Sequence, residues 1–237
     1  MDSLEEQARS NLILHDVPFV DLSRLLPHMH MLEVEAKEVL HQAGEPVGHI
    51  FFPLTALMSM LMPTSDGATV ELATVGREGL TDTSVLLDGS TARDHGALAK
   101  VITVIPGTVI RMKSDVLKAA AESSLSVSRC LCQYVSRLFT ELALSVTCNR
   151  LHSLAQRCAR WLLTAMDKSD RQAIPVTQEI LAGILGVSRQ SVVHTLRGFE
   201  TEGWIQCGRG SIRVAMRSSL TKISCECYSI GKKRAAS

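Results

Sequence analysis

The segment VTQEILAGILGVSRQSVVHTLRGFETEGWI, Val176 to Ile205, carries the side chains best suited to reading another molecule. Ser188, Arg189, Gln190, Ser191, His194 and Arg197 bring polar groups to one side of a predicted helix. An arginine fork matches O6 and N7 of guanine, and a glutamine amide matches adenine in the same way. Val192, Val193, Leu196 and Phe199 supply the opposite, apolar side. Ser188 is the predicted N-cap of this helix, and Thr177 caps the helix before it. Gly186 ends the first helix, because glycine takes the left-handed conformation without steric cost. Two short helices joined by such a turn form a helix-turn-helix, whose second helix enters the major groove. Downstream, Trp204–Gln206 and Ser211–Val214 flank Cys207-Gly208-Arg209-Gly210, a hairpin with a basic tip that can set Arg209 against a phosphate. The residues expected to touch DNA are therefore Thr177, Ser188, Arg189, Gln190, Ser191, His194, Arg197 and Arg209.

Other candidate chemistry is sparser. The seven cysteines are Cys130, Cys132, Cys148, Cys158, Cys207, Cys225 and Cys227, an odd number that fits a reducing compartment. The two C-x-C pairs lack the second ligand pair of a zinc site, so they read as ordinary thiols and no metal site is expected. His28-Met29-His30-Met31 likewise reads as a surface or partly packed stretch. There is no nucleophile–base constellation and no phosphate loop, so an enzyme is not expected.

The elements that must hold the reading helix follow from hydrophobic period and charge. Residues 32–113 alternate short apolar runs with turn signals at Ala43-Gly44-Glu45-Pro46, Ser65-Asp66-Gly67 and Pro106-Gly107, the pattern of an antiparallel sandwich or roll. Ser126 to Asn149 then runs without Gly or Pro, and Leu131, Val135, Leu138 and Leu142 form a candidate dimer seam along that helix. The same spacing also suits a helix packed on its own sheet. A further helix is predicted from about His152 to Ala165, followed by the polar loop DKSDRQA, and GKKRAAS at the end reads as a disordered basic tail. Residues 1–149 hold 11 basic against 18 acidic side chains, a net of −7, whereas residues 150–237 hold 14 against 6, a net of +8. A basic unit on an acidic one is the electrostatic layout of a polyanion-binding module attached to something else. No apolar run is long enough to span a membrane, and the start MDSLEEQARS lacks the features of a signal peptide, so a cytoplasmic location and no membrane partner are expected.

With these residues in view, the chain resembles the Crp-Fnr superfamily of bacterial regulators. The resemblance is carried by TQEILAGILGVSRQSVVHTLRGFETEGWI, by CNRLHSLAQRCARWLL and by AGEPVGHIFFP. It implies an α+β protein with an N-terminal antiparallel β-roll of the cyclic-nucleotide-binding type over residues 1–125, a dimerisation helix over 126–150 and a winged helix-turn-helix over 151–237. It implies a homodimer on a palindromic site of double-stranded DNA, with RNA polymerase as a further partner and an effector acting at the roll. The family's reading helix follows Ser-Arg-Glu-x-Val-x-Arg; here Ser188-Arg189-Gln190-Ser191-Val192-Val193-His194 keeps the arginine and changes the acidic residue and the second arginine. Cyclic-nucleotide binders of the family carry a Gly-Glu-Leu turn and then Arg-Ser/Thr-Ala. This chain has Arg77-Glu78-Gly79-Leu80 and Thr91-Ala92-Arg93. A phosphate needs a placed arginine and backbone donors, so cyclic nucleotide is not expected. No cysteine precedes Cys130, which excludes an N-terminal iron–sulfur cluster, and the expectation is that no cofactor is bound. The competing reading is a small-molecule sensor whose output is protein interaction instead of DNA binding.

Overall fold

Between His30 and Lys113 short apolar runs separated by turns fold, in the computed structural model, into two antiparallel sheets. Residues 3–65, 67–83, 96–169 and 171–235 are described. One sheet orders β1 (His30–Val34), β7 (Gly107–Lys113) and β3 (His49–Pro53). The other orders β2 (Val39–His41), β6 (Lys100–Ile105), β4 (Leu57–Pro63) and β5 (Thr69–Val75). Ile50, Phe52, Met58, Val101, Ile110 and Met112 are fully buried in the roll's core. Among the described residues, three short α-helices precede it, α1 (Leu4–Ala8), α2 (Leu12–Asp16) and α3 (Phe19–Leu25), the last running into a 3-10 turn over Leu26–His28. They pack Ala8, Ile13, Leu14 and Leu22 onto the same core. Met29 of the His-Met-His-Met stretch is buried, while His28, His30 and Met31 are exposed.

Helix α4 (Ser114–Ser123) leads into the long α5 (Leu125–Leu151). Ser124 caps α5 by accepting from Val127 N–H at 3.3 Å. The chain then turns at His152 into α6 (Leu154–Ser169), which absorbs Asp167, Lys168 and Ser169 from the predicted loop. The remainder is β8 (Ala173–Ile174), α7 (Gln178–Leu185), α8 (Arg189–Thr201), β9 (Ile205–Gly208), β10 (Ser211–Val214), α9 (Arg217–Ile223) and α10 (Glu226–Ala235). Helix α10 corrects the expectation of a disordered basic tail: Gly231–Ala235 continue a helix that packs on α5 and α6. The physical reason is upstream, where Tyr228 buries its ring and donates to Asp167 Oδ2 at 2.7 Å, giving the polar tail a nucleus to extend.

The C-terminal unit is not hung on a free linker. Trp161, Leu162 and Ala165 of α6 share one apolar cluster with Leu57, Leu61, Val104 and Ile105 of the roll and with Leu181, Val192 and Leu196 beyond. At this joint the Lys168 ammonium donates to Thr74 O at 2.6 Å and pairs with Glu78 at 2.9 Å and Glu141 at 3.0 Å. Burial opposes its charge, but the Glu141 and Glu78 carboxylates outweigh that and raise its pKa. Among the described residues no helix is long and apolar enough to cross a membrane.

Candidate nucleic-acid interface

Helices α7 and α8 are positioned by caps that the sequence supplies locally. Thr177 Oγ1 accepts from Ile180 N–H at 3.2 Å, and Ser188 Oγ accepts from Ser191 N–H at 3.2 Å. Each hydroxyl satisfies an N–H that the first helical turn leaves without a partner. Between the helices, Gly186 sits at φ 62°, the left-handed conformation that ends α7. Leu181, Ile184 and Leu185 of α7 and Val192, Leu196 and Phe199 of α8 are buried together. The opposite side of α8 exposes Arg189, Gln190, Ser191, His194 and Arg197. Thr177 is half-buried, so its cap bond is its evident work, and the exposed Ser188 does both: it caps α8 and stands at the helix start.

The wing lies beside this helix. Gly208 pairs with Ser211 across β9 and β10, which leaves Arg209-Gly210 as a two-residue turn with Gly210 at φ 77°. Arg209 is exposed at its tip. Cys207 N–H donates to Glu200 Oε1 at 2.9 Å, and the Phe199 and Trp204 rings stand 5.6 Å apart, so the wing is fastened to the end of α8. A cleft of about 350 Å³ opens between the wing and the helix starts, lined by Thr177, Gln178, Arg189, Gly208 and Gly210. The result is a row of polar side chains, two helix N-termini and a basic wing tip on one face, the layout that engages base edges and phosphates together.

The profile of the Crp-like helix-turn-helix domain matches residues 156–223. The fold is shared more widely. FixK2 of Bradyrhizobium japonicum superposes with a TM-score of 0.69 at 16% identity, over 83% of this chain and 98% of that one. The c-di-GMP-responsive global regulator CLP of Xanthomonas campestris gives 0.67 at 14%, over 83% and 99%. A Crp/Fnr-family transcriptional regulator of Thermus thermophilus gives 0.66 at 17%, over 82% and 98%. The chain carries a Crp-like DNA-binding helix-turn-helix domain on a Crp/Fnr-type fold. Among proteins of curated function, none matches it.

On the Crp-type long helix, the structure separates the predicted seam. Leu131 and Leu138 are buried against the roll of the same chain, and Leu142 is packed at its edge. These residues line the side of α5 that packs on the roll. The free side carries Leu125, Cys132, Phe139 and Val146, spaced by seven residues, with Phe139 73% exposed. Val135 is half-buried between the two sides.

In the roll, Arg77-Glu78-Gly79-Leu80 is occupied by structural bonds. Glu78 holds Lys168, Gly79 O accepts from Asn11 Nδ2 at 2.9 Å, and Leu80 O accepts from Tyr134 Oη at 2.8 Å. The tyrosine ring passes so close to Gly79 that a Cβ there would fall 2.6 Å from it. Thr91-Ala92-Arg93 lies outside the described residues.

The expectation that the chain has no cofactor site is overturned at the end of α5. Cys148, His152, Cys225 and Cys227 bring one ligand atom each to within 4.8 Å of one another, and all three cysteines are buried. The absence of cysteine before Cys130 excluded only an N-terminal cluster; it said nothing of a site assembled from later residues. The hydrogen bond from Cys225, aided by the nearby Arg160 guanidinium, lowers the pKa of the Cys148 thiol despite its burial. Cys130 and Cys132, the other C-x-C pair, are not part of the group.

Proposed function

We propose that this protein is a cytoplasmic, homodimeric transcriptional regulator that binds a palindromic site of double-stranded DNA, engages RNA polymerase and changes its DNA affinity in response to an effector. The observation that carries the reading is the exposed polar side of α8 standing beside the basic wing tip. The net charge of +8 over residues 150–237 supplies the sequence-independent attraction to a polyanion. The heptad of exposed apolar residues on α5 supports a second copy as the partner of that helix. Two copies related by a two-fold axis would present two reading helices, which is why a palindrome is the matching site. A cavity of about 380 Å³ at the joint between β5, α5, α6 and α10, lined by Glu71, Glu141, Arg160, Trp161 and Lys168, supports control by a small effector there.

Selection of bound sequences from random DNA tests the reading, with electrophoretic mobility shifts across salt concentrations. Recovery of a palindrome with salt-sensitive binding is expected; salt-independent binding or none would refute it. Two substitutions divide the interface. Arg189→Ala is expected to lose about 1–3 kcal/mol and to relax the preference at one guanine per half-site. Uniform weakening on every sequence would instead make Arg189 a backbone clamp. Arg209→Ala is expected to weaken all sequences alike and to flatten the salt dependence by about one unit per wing. A changed base preference at an unchanged salt slope would contradict that role.

A further inference from the structure

We propose that Cys148, His152, Cys225 and Cys227 bind a single tetrahedral divalent metal ion of the zinc class, which staples the C-terminal helix to the junction between the long helix and the DNA-binding unit. Cys148 lies in the last turn of α5 and His152 at its C-cap; Cys225 and Cys227 open α10 from the far end of the chain. The distances fit one ion. Sulfurs about 2.3 Å from zinc in a tetrahedron stand about 3.8 Å apart, and a sulfur and an imidazole nitrogen slightly less. Here Cys148 Sγ and Cys225 Sγ are 3.5 Å apart, and Cys227 Sγ and His152 Nδ1 are 3.7 Å apart. An iron–sulfur cube needs its thiolates farther apart, since each binds a different iron. Three sulfurs and one imidazole form a closed set with no open position, the arrangement of structural and not catalytic zinc.

The surroundings suit the ion as well. Glu226 Oε2 lies 3.3 Å from His152 Nε2, so Nε2–H donates to the carboxylate and the Nδ1 lone pair is left facing the sulfurs. Arg160 Nε donates to Cys148 Sγ at 3.2 Å and offsets the surplus negative charge of three thiolates around a divalent ion. On binding, the thiol protons leave to solvent as the metal–sulfur bonds form, with no change of oxidation state. The ligands come from both sides of the turn at His152, so an occupied site ties α10 to the point where the helix-turn-helix domain joins the rest.

Cobalt titration of the full-length chain, reduced, stripped with chelator and kept free of oxygen, tests this. The expected result is saturation at one equivalent, with the visible bands of tetrahedral cobalt and a sulfur-to-cobalt charge-transfer band, both displaced by one equivalent of zinc. Glu226→Gln, on an exposed side chain, should weaken cobalt binding about tenfold through the histidine, and Cys225→Ser should weaken it further. Cys132→Ser should change nothing. An octahedral spectrum, no charge-transfer band in the unaltered chain, or binding indifferent to both Glu226→Gln and Cys225→Ser overturns the site. So does a Cys148–Cys225 disulfide in protein isolated without exposure to air.

Discussion

Leu138→Asp will cost the protein its fold, whereas Phe139→Asp, one residue along the same helix, will leave the fold intact and abolish the proposed dimer. Leu138 is 7% exposed and sits in the roll's core, where an aspartate would be a buried charge without a partner. That penalty exceeds about 4 kcal/mol, a large share of a domain's whole stability. Phe139 is 73% exposed and belongs to no apolar cluster of the described residues, so the same change there costs a single protomer little. In a heptad seam it faces its counterpart, and two carboxylates would meet at the interface. Circular dichroism and sedimentation of the pair separate the cases. A folded, dimeric Phe139→Asp protein would mean that copies associate through another surface.

Removing the Lys168 ammonium will destabilise the joint between the roll and the DNA-binding unit. Its side chain is 12% exposed, and those of Glu78 and Glu141 are 21% and 33% exposed. Lys168→Met keeps the apolar stem and strands both carboxylates, at a cost of about 3 kcal/mol once their partial exposure to solvent is allowed for. Thermal unfolding should show a fall on the order of 10 °C. The loss has a pH signature. Burial raises the Glu141 carboxyl above its ordinary value, and in the native protein Lys168 works against that rise. Without the lysine the rise is larger. A carboxyl whose folded pKa exceeds its unfolded one contributes stability that is present below the unfolded pKa and lost as pH climbs through the folded one. The variant's deficit should therefore shrink toward the ordinary carboxyl range and widen as pH rises above it. A deficit that is flat across this range would mean that packing, not the stranded charge, is what the lysine supplies.

The helix-turn-helix was legible because its determinants are local. Thr177, Gly186 and Ser188 each act on residues within four positions, and the apolar and polar sides of α8 follow from a 3.6-residue period. The roll over residues 32–113 was legible as a class, since short apolar runs separated by turn residues mark an antiparallel sandwich or roll. The seam was not. Leu131, Val135, Leu138 and Leu142 and the frame of Leu125, Cys132, Phe139 and Val146 interleave on one helix, and each repeats at coiled-coil spacing. Which of them meets the roll depends on how α5 rotates against a sheet that ends many residues earlier, and the Leu-rich frame buries more apolar surface there.

The cysteine site was half visible. Cys148 and His152 stand four apart, where a helix sets two ligands on one side, and Cys225-x-Cys227 offers two more. The partner of Cys225-x-Cys227 is a cysteine–histidine pair and not a second cysteine pair. The sequence by itself determined the local elements of this protein: the caps, the turn glycines, the polar row of α8 and the basic wing. The tertiary structure alone decided which side of α5 is free, why Lys168 is buried between two carboxylates, and that ligands 77 residues apart, Cys148 and Cys225, converge. The reason is that backbone caps and periodicity act over one or two turns. Burial and convergence are set by how whole elements pack, and no short window of sequence contains both partners.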